Sequence, residues 1–459
     1  MQAWLSTCLR LANTGKSLNR KKVDTMASAI QLAIDQAARN SEAIHSPRFD
    51  PVPSMPWPFF ANDEIEAALK VLRSGKVNYW TGEEGRLFEK EFAAFCGSKY
   101  AVAVANGTVA LECALRALGI GPGDEVVTTS RTFIASASSA AMLGARPVFA
   151  DVDRESQNMT AKSIARVLTA RTRAIIAVHL AGWPSEMDPI LDLAREHHLQ
   201  VLEDCAQAHG ATYKGRMVGS IGDAAAFSFC QDKIMTTAGE GGMVTTNSAV
   251  LWEKMWSMKD HGKSYGAVYH RQHPPGFRWL HESFGTNWRL TEVQSAVGRA
   301  ALRKLPRWLQ IRREYARVLT EEFRAIPGLR ITVPPAYIEH AYYKYYAFVR
   351  LENLRAGWTR DRIVESIHAE GVPCFSGSCS EIYMEKAFPV EWRPRHRLPS
   401  ARELGETSLM FLVHPTLTED HIRQTSAAVR RVMTEATGCD LDADPSRYPL
   451  PAIHPAQLA

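Results

Sequence analysis

The residues best placed to do chemistry lie between 223 and 244, DAAAFSFCQDKIMTTAGEGGMV. The apolar run from Ala224 to Phe229 reads as a buried strand, and Lys233 follows it within four residues. A glycine-rich turn, Gly239-Glu-Gly-Gly242, then leads into a second short apolar run. A lysine on a loop between two buried strands is poorly solvated, which lowers its pKa and frees the amine as a nucleophile. That is the requirement for a Schiff-base lysine. Taken alone, a surface lysine in a β-turn is the commoner occupant of such a position.

Three further elements change that balance. Asn106-Gly-Thr108 stands between a strand and a helix, so its backbone N–H groups can hold a phosphate at the helix N-terminus. Thr132-Phe133 closes the next strand and offers an aromatic plate, although an aromatic there can also be core. Glu203-Asp-Cys-Ala-Gln207 ends a strand with an acid, Asp204, whose natural partner is a buried cation; the alternative for Asp204 is a helix cap. Ser228 and Lys233 complete the set. A dianionic phosphate, an aromatic heterocycle with a protonated nitrogen and an aldehyde would satisfy all of them, and pyridoxal 5′-phosphate has those features. His179, at another strand end, reads as a hydrogen-bonded histidine, with a substrate-lining role as the alternative. No cluster with metal-ligand spacing is apparent.

The elements that must position these groups alternate. Strands are expected at 100–104, 125–129, 147–151, 174–179 and 199–204, with helices at 106–118, 134–143, 161–168 and from 185 or 188 to 196. Strands separated by helices imply a mainly parallel sheet covered on both faces, an α/β fold. Ligands of such sheets bind beyond the carboxyl ends of the strands, where Asn106, Thr132, His179, Asp204 and Lys233 fall. Upstream, Asn62 is expected to cap a helix with Ile65, Ala68, Leu69 and Leu72 on its buried face, followed by a loop with Tyr79, Trp80 and Thr81. Thr291-Glu-Val-Gln294 resembles a capping box and opens a long helix towards Thr320. Strands at 329–333 and 345–351 and helices opened by Thr359 and Thr418 suggest a smaller α+β body. The expected organisation is an arm over 1–50 with a helix at 26–38, a large domain over 51–320, a small domain over 321–436 and a disordered tail over 437–459.

The chain has 459 residues, 46% of them hydrophobic and 22% charged, as in ordinary globular proteins. Its formal charge of +5 equals the surplus of Arg10, Lys16, Arg20, Lys21 and Lys22 in an acid-free N-terminus, so no basic face for nucleic acid is indicated. That N-terminus fits a transit peptide, a disordered extension, or a start at Met26. The cysteines (Cys8, Cys96, Cys113, Cys205, Cys230, Cys374, Cys379 and Cys439) form no CxxC pair and favour a reducing, cytoplasmic setting. No apolar run is long enough to span a membrane.

The chain resembles the DegT/StrS sugar aminotransferases, of fold-type-I pyridoxal-phosphate architecture, from about residue 53 to residue 431. The resemblance is carried by residues 105–108 (ANGT), 147–153 (PVFADVD), 178–182 (VHLAG), 203–210 (EDCAQAHG), 227–233 (FSFCQDK), 239–242 (GEGG) and 285–294 (GTNWRLTEVQ). It implies a large domain with a seven-stranded type of sheet between helices, and a smaller C-terminal domain. It implies that Lys233 carries the cofactor and moves protons, and that Asp204 pairs with the pyridinium nitrogen. Phe133 would stack on the ring, and Gln207 would bond near its 3′-oxygen. Gly107, Thr108 and Ser228 would hold the phosphate, joined by Asn287 from a neighbouring subunit, which makes the active unit a homodimer.

The implied reaction passes an amino group from glutamate to a nucleotide-linked keto-deoxy-sugar, for glycans or secondary metabolites. Tyr79, Trp80 and Thr81 would contact the sugar, with the segment 377–388. Other members act on cyclitol ketones, and dehydratases of the family replace the lysine by histidine; a cofactor-binding regulator is a further alternative. Two departures stand out. Arg131 occupies a position usually small or apolar, which would add charge at the cofactor's edge, and Cys230-Gln-Asp232 replaces the usual lead-in to the lysine.

Overall fold

The computed structural model describes residues 56–439. The arm over 1–50, its helix at 26–38 and the tail from 440 lie outside the described residues.

Strands β1 (Tyr100–Val104), β2 (Glu125–Thr129), β3 (Arg146–Ala150), β4 (Thr172–Val178) and β5 (Gln200–Asp204) are followed by a short hairpin, β6 (Thr212–Tyr213) and β7 (Arg216–Met217), and then by β8 (Ala224–Ser228) and β9 (Gly242–Thr246). Seven of them form one sheet in the order β1-β9-β8-β5-β4-β2-β3. β9 runs antiparallel to both its neighbours, and every other pair is parallel.

These strands are apolar on both faces because both faces are covered. Val102 and Val104 of β1, and Ala174, Ile176 and Val178 of β4, pack into one core with α3 (Gly107–Ala117) and α7 (Ala249–Met258). The alternate residues face the other way: Ala101 and Ala103 against Phe88 and Phe92 of α2 (Glu84–Cys96), Ile175 and Ala177 against Met187 and Ile190 of α6 (Met187–Glu196). The period of two turns alternate residues of each strand to opposite faces, and parallel pairing brings the carboxyl ends of β2, β3, β4, β5 and β8 to one edge.

A second sheet joins β10 (Leu329–Ile331), β12 (Tyr345–Val349), β14 (Ser408–Phe411) and β13 (Cys374–Phe375), all antiparallel, while β11 (Ile338–Glu339) pairs with β6. Its core is closed by α10 (Arg360–Ala369) and α12 (Glu419–Thr437). The 33-residue helix α9 (Glu292–Arg324) serves both cores. Leu302, Leu305 and Leu309 pack with Phe88 and Phe92, whereas Ala316, Leu319 and Phe323 pack under the second sheet. The division expected near residue 320 therefore falls inside one continuous helix. Thr291 caps it as a capping box with Gln294, as its sequence implies.

Some expectations need correction. The helix α1 (Asn62–Ser74) is capped at Ala61, whose N–H donates to Glu64 Oε2 at 2.8 Å. Its Ile65 and Leu72 are exposed, and Glu64 and Val71 are buried instead. Lys304 of α9 holds Glu64 at 2.5 Å and Asp63 at 2.6 Å. The helix expected over 161–168 is shorter, α5 (Ala161–Ala165). α4 (Ala135–Ala141) and α8 (Tyr265–Tyr269) are also short. The strands β13 and β14 and helix α11 (Pro399–Thr407) carry too little periodicity to be read from sequence.

Candidate active site

Beyond the carboxyl ends of β2, β4, β5 and β8 lies a cavity of about 1220 Å³. Gly107, Thr108, Phe133, Asp204, Gln207, Ser228 and Lys233 all line it, joined from the second sheet's side by Tyr343, Lys344, Tyr346 and Ser378. Seven residues singled out from sequence, spread over 127 positions from Gly107 to Lys233, converge on this space because the parallel strands all end there.

One corner is shaped for an anion. Asn106 caps α3 by accepting the N–H of Val109 at 2.9 Å, which leaves the N–H groups of Gly107 and Thr108 without an intrahelical partner. Gly107 lies so close to β8 that a Cβ built on it would fall 2.5 Å from Ser228 Cβ. That approach brings the helix N-terminus and the Ser228 hydroxyl to one point, a cradle for a phosphate.

Asp204 is 6% exposed. One carboxylate oxygen accepts the Ser136 hydroxyl at 2.7 Å and the other the N–H of Ala206 at 3.1 Å. The acid is thus held in one orientation at the cavity wall, and among the described residues no cation is paired to it. Phe133 lines the same cavity and is 67% exposed, an open aromatic face of the size of a heterocycle. Gln207 spends its carbonyl on the N–H of Ala181 at 2.8 Å, leaving its amide N–H₂ to donate. Anion cradle, aromatic plate, buried acid and amine are the four features a pyridoxal phosphate would meet, so the residues present fit that group.

Lys233 rides on a turn in which its N–H donates to Cys230 O at 3.1 Å and its carbonyl accepts the indole of Trp57 at 2.9 Å. Its Nζ is 5.1 Å from the centre of the Tyr343 ring. The Tyr343 hydroxyl donates to Asp232, and burial pushes that hydroxyl's pKa up, with Asp232 adding to the effect. Lys344 lines the cavity as well, and burial pulls its pKa down to about 8.

Other sequence candidates lie elsewhere. Tyr79 is 3% exposed and gives its hydroxyl to Glu89 at 3.1 Å. Trp80 donates to Asp260 at 2.6 Å, and Thr81 is exposed. None of the three lines the cavity of its own chain. Asn287 is likewise exposed and outside that cavity, bridged to Asp260. His179 is fully buried: its Nε2 pairs with Glu203 at 3.0 Å and its Nδ1 accepts the N–H of Ser185 at 2.9 Å. Glu203 also accepts three backbone N–H groups, and although burial raises its pKa, His179 and these donors hold it below the usual carboxylate range. Cys205 completes this group of ligand-type atoms, but burial pushes its thiol well up, so the cluster is hydrogen-bonded core.

Arg131 does not charge the cavity's edge as expected. It is fully buried, and its guanidinium reaches Gln157 Oε1 at 3.0 Å, Ser378 O at 3.2 Å and Ser408 Oγ at 3.1 Å. Ser136, Tyr343 and Lys344 were not read from sequence, and Asp232 only as part of an unusual lead-in to the lysine. Ser136 alone had a local signal, a hydroxyl in the first turn of a helix that follows a parallel strand.

A lysine loop, a strand-end carboxylate and an anion cradle at the carboxyl edge of a mainly parallel seven-stranded sheet define the α/β architecture of fold-type-I transferases. Residues 59–430 match the DegT/DnrJ/EryC1/StrS aminotransferase family, and the chain belongs to that family of enzymes. It is 38% identical over 371 residues to the GDP-perosamine synthase of Caulobacter vibrioides, across 77% of this chain and 92% of that one. It is 37% identical over 374 residues to the UDP-N-acetyl-3-dehydro-alpha-D-glucosamine 3-aminotransferase of Acidithiobacillus ferrooxidans, across 81% and 94%. The X-ray structure of an aminotransferase from Psychrobacter cryohalolentis superposes with a TM-score of 0.81 at 57% identity, covering 84% of this chain and 100% of that one.

Proposed function

We propose that this aminotransferase uses pyridoxal 5′-phosphate to move an amino group from glutamate to a nucleotide-linked keto-deoxy-sugar, in amino-sugar biosynthesis. The observation that carries the reading is the convergence of Lys233, Asp204 and the Gly107–Ser228 cradle on one cavity. Its volume of about 1220 Å³ exceeds the roughly 300–1,000 Å³ typical of small-ligand sites, which suits a cofactor together with a bulky sugar nucleotide.

When bound, the cofactor supplies an aldehyde and an electron-accepting ring that carry the amino group between substrates. Lys233 would hold it through Nζ, and the same amine would move a proton to and from the donor's α-carbon. Asp204 would favour the protonated form of the cofactor's ring nitrogen by placing an opposite charge beside it. The N–H groups of Gly107 and Thr108 and the Ser228 hydroxyl would anchor its phosphate, and Phe133 would offer an aromatic face to its ring. Asn287, exposed and outside its own cavity, is the group a second copy of the chain would receive, so the active unit in this reading is a homodimer with shared sites.

The setting proposed is the cytoplasm. Among the described residues no helix is long and apolar enough to cross a membrane, and seven cysteines are free thiols. The test is to incubate the purified protein and cofactor with glutamate and a panel of nucleotide keto-sugars, following the aminated product by mass. An aminated sugar with 2-oxoglutarate is the expected outcome. Release of ammonia, or no product from any keto-sugar, would refute it.

A further inference from the structure

Lys233 is not the cavity's only amine. Lys344, at the threshold of β12, also lines it, with its side chain 15% exposed. The two amines share a ring: Lys344 Nζ is 4.7 Å and Lys233 Nζ 5.1 Å from the centre of Tyr343. Among the described residues Lys344 makes no hydrogen bond, and its one ion pair is a long one, 4.0 Å to Asp232 Oδ2. That oxygen already accepts the Tyr343 hydroxyl. A third cation stands behind them. Arg312 is 1% exposed, donates through one nitrogen to the carbonyls of Tyr342 and Tyr343, and has no acceptor for Nε or Nη2. A nearly buried ammonium with three donors and no hydrogen-bonded partner is costly unless an anion completes it.

We propose that Lys344 binds a carboxylate of the amino donor, holding the donor's α-carbon beside Lys233. The inference rests on the transamination reading and adds to it the group that selects a carboxylic donor. A carboxylate is favoured over the sugar's diphosphate by distance along the ligand. The α-carboxylate is bonded directly to the reacting carbon, and so must sit where a cation shares a ring with the reacting amine. The diphosphate is separated from the sugar's reacting carbon by the ring and its anomeric oxygen.

The charge of Lys344 gives the site a pH signature. Burial lowers its pKa to about 8, with Arg312 and Lys233 pushing the same way and Asp232 opposing. His414, which also faces this group, is held neutral near neutral pH by burial at about 3, and the Tyr343 hydroxyl is pushed up. Lys344 is therefore cationic below about 8 and loses its charge above it, so carboxylate binding should weaken as pH rises through that range.

The experiment is an equilibrium titration of the purified full chain with glutarate, a dicarboxylate that has neither amine nor ketone and cannot react. Wild type should bind it near neutrality and lose affinity from about pH 7 to about pH 10. Lys344→Met should weaken binding about tenfold or more, and should raise KM for glutamate while leaving KM for the keto-sugar unchanged. Should that variant fold poorly, the wild-type pH profile decides alone. Equal glutarate affinity in wild type and variant, a flat profile through this range, or no binding by wild type would each overturn the proposal. Formation of 2-oxoglutarate from glutamate, with glutarate affinity indifferent to Lys344, would sink this site alone. Glutarate binding through Lys344 with no 2-oxoglutarate formed would support the site and sink the transamination reading.

Discussion

The hydroxyl of Ser136, in the first turn of α4, donates to Asp204 Oδ2 at 2.7 Å. A short helix after one strand thereby aims the carboxylate that ends another, two strands away in the sheet. Ser136→Ala should leave the fold intact but remove one of two bonds that orient the acid. A hydrogen bond to a charged group contributes about 1.5–3 kcal/mol, so the glutamate half-reaction should slow by roughly tenfold to a hundredfold. Asp204→Asn, which removes the charge itself, should be slower still. Single-turnover absorbance of the bound cofactor would measure both; a Ser136→Ala rate equal to wild type would contradict the relationship.

Gly107 is required by contact rather than by backbone angle. A methyl group there would meet Ser228 Cβ at 2.5 Å and its Cα at 3.1 Å, neither of which can swing aside. Gly107→Ala should cost about 1–3 kcal/mol in stability through overpacking. It should also weaken cofactor affinity, because the helix N-terminus must back away from the Ser228 hydroxyl. Denaturant midpoints and a cofactor titration on the same variant would check the two effects together.

His209, His340 and His414 give the fold an acid sensitivity. Burial holds each at about 3, below the ordinary 6.5 of an unfolded chain. A depressed folded pKa means the stabilisation is complete above about 6.5 and is lost as pH falls towards about 3. Each histidine can contribute up to about 1.4 kcal/mol per pH unit across that window. His209 packs between Phe227 and Phe229, with ring centres at 5.4 and 5.6 Å. His209→Asn should flatten the decline in urea midpoint with acid by one proton's share.

Arg131 ties the end of β2 to the segment that roofs the cavity. Besides its bonds to Ser378 and Ser408, backbone bonds join Thr132 N to Cys379 O at 3.1 Å and Ile382 N to Ser130 O at 3.0 Å. Arg131→Ala should destabilise the protein by about 2–4 kcal/mol, through lost packing and stranded acceptors. Arg131→Lys should recover little of that, since an ammonium cannot span three acceptors as a planar fork does. Thermal denaturation of both variants would test the difference.

What the sequence alone determined was local. Asn106-Gly-Thr108, Asp204 and Lys233 each sit within a few residues of a strand end, and alternating strands and helices bring strand ends together whatever the detailed packing. Thr291 with Gln294 was legible for the same reason, since a capping box closes over three residues. What the tertiary structure decided was which distant groups line the cavity and which conspicuous ones lie outside the cavity of their own chain. Tyr343 and Lys344 reach Asp232 across more than a hundred residues of chain, and neither residue's neighbours in sequence mark it as facing the cavity. Tyr79 looks like an open loop aromatic, but in its own chain it is buried with its hydroxyl on Glu89. Arg131 looks like a stray charge until Gln157, Ser378 and Ser408 surround it. Periodicity tells whether a side chain is turned inward, but its partner is set by how two cores meet along α9.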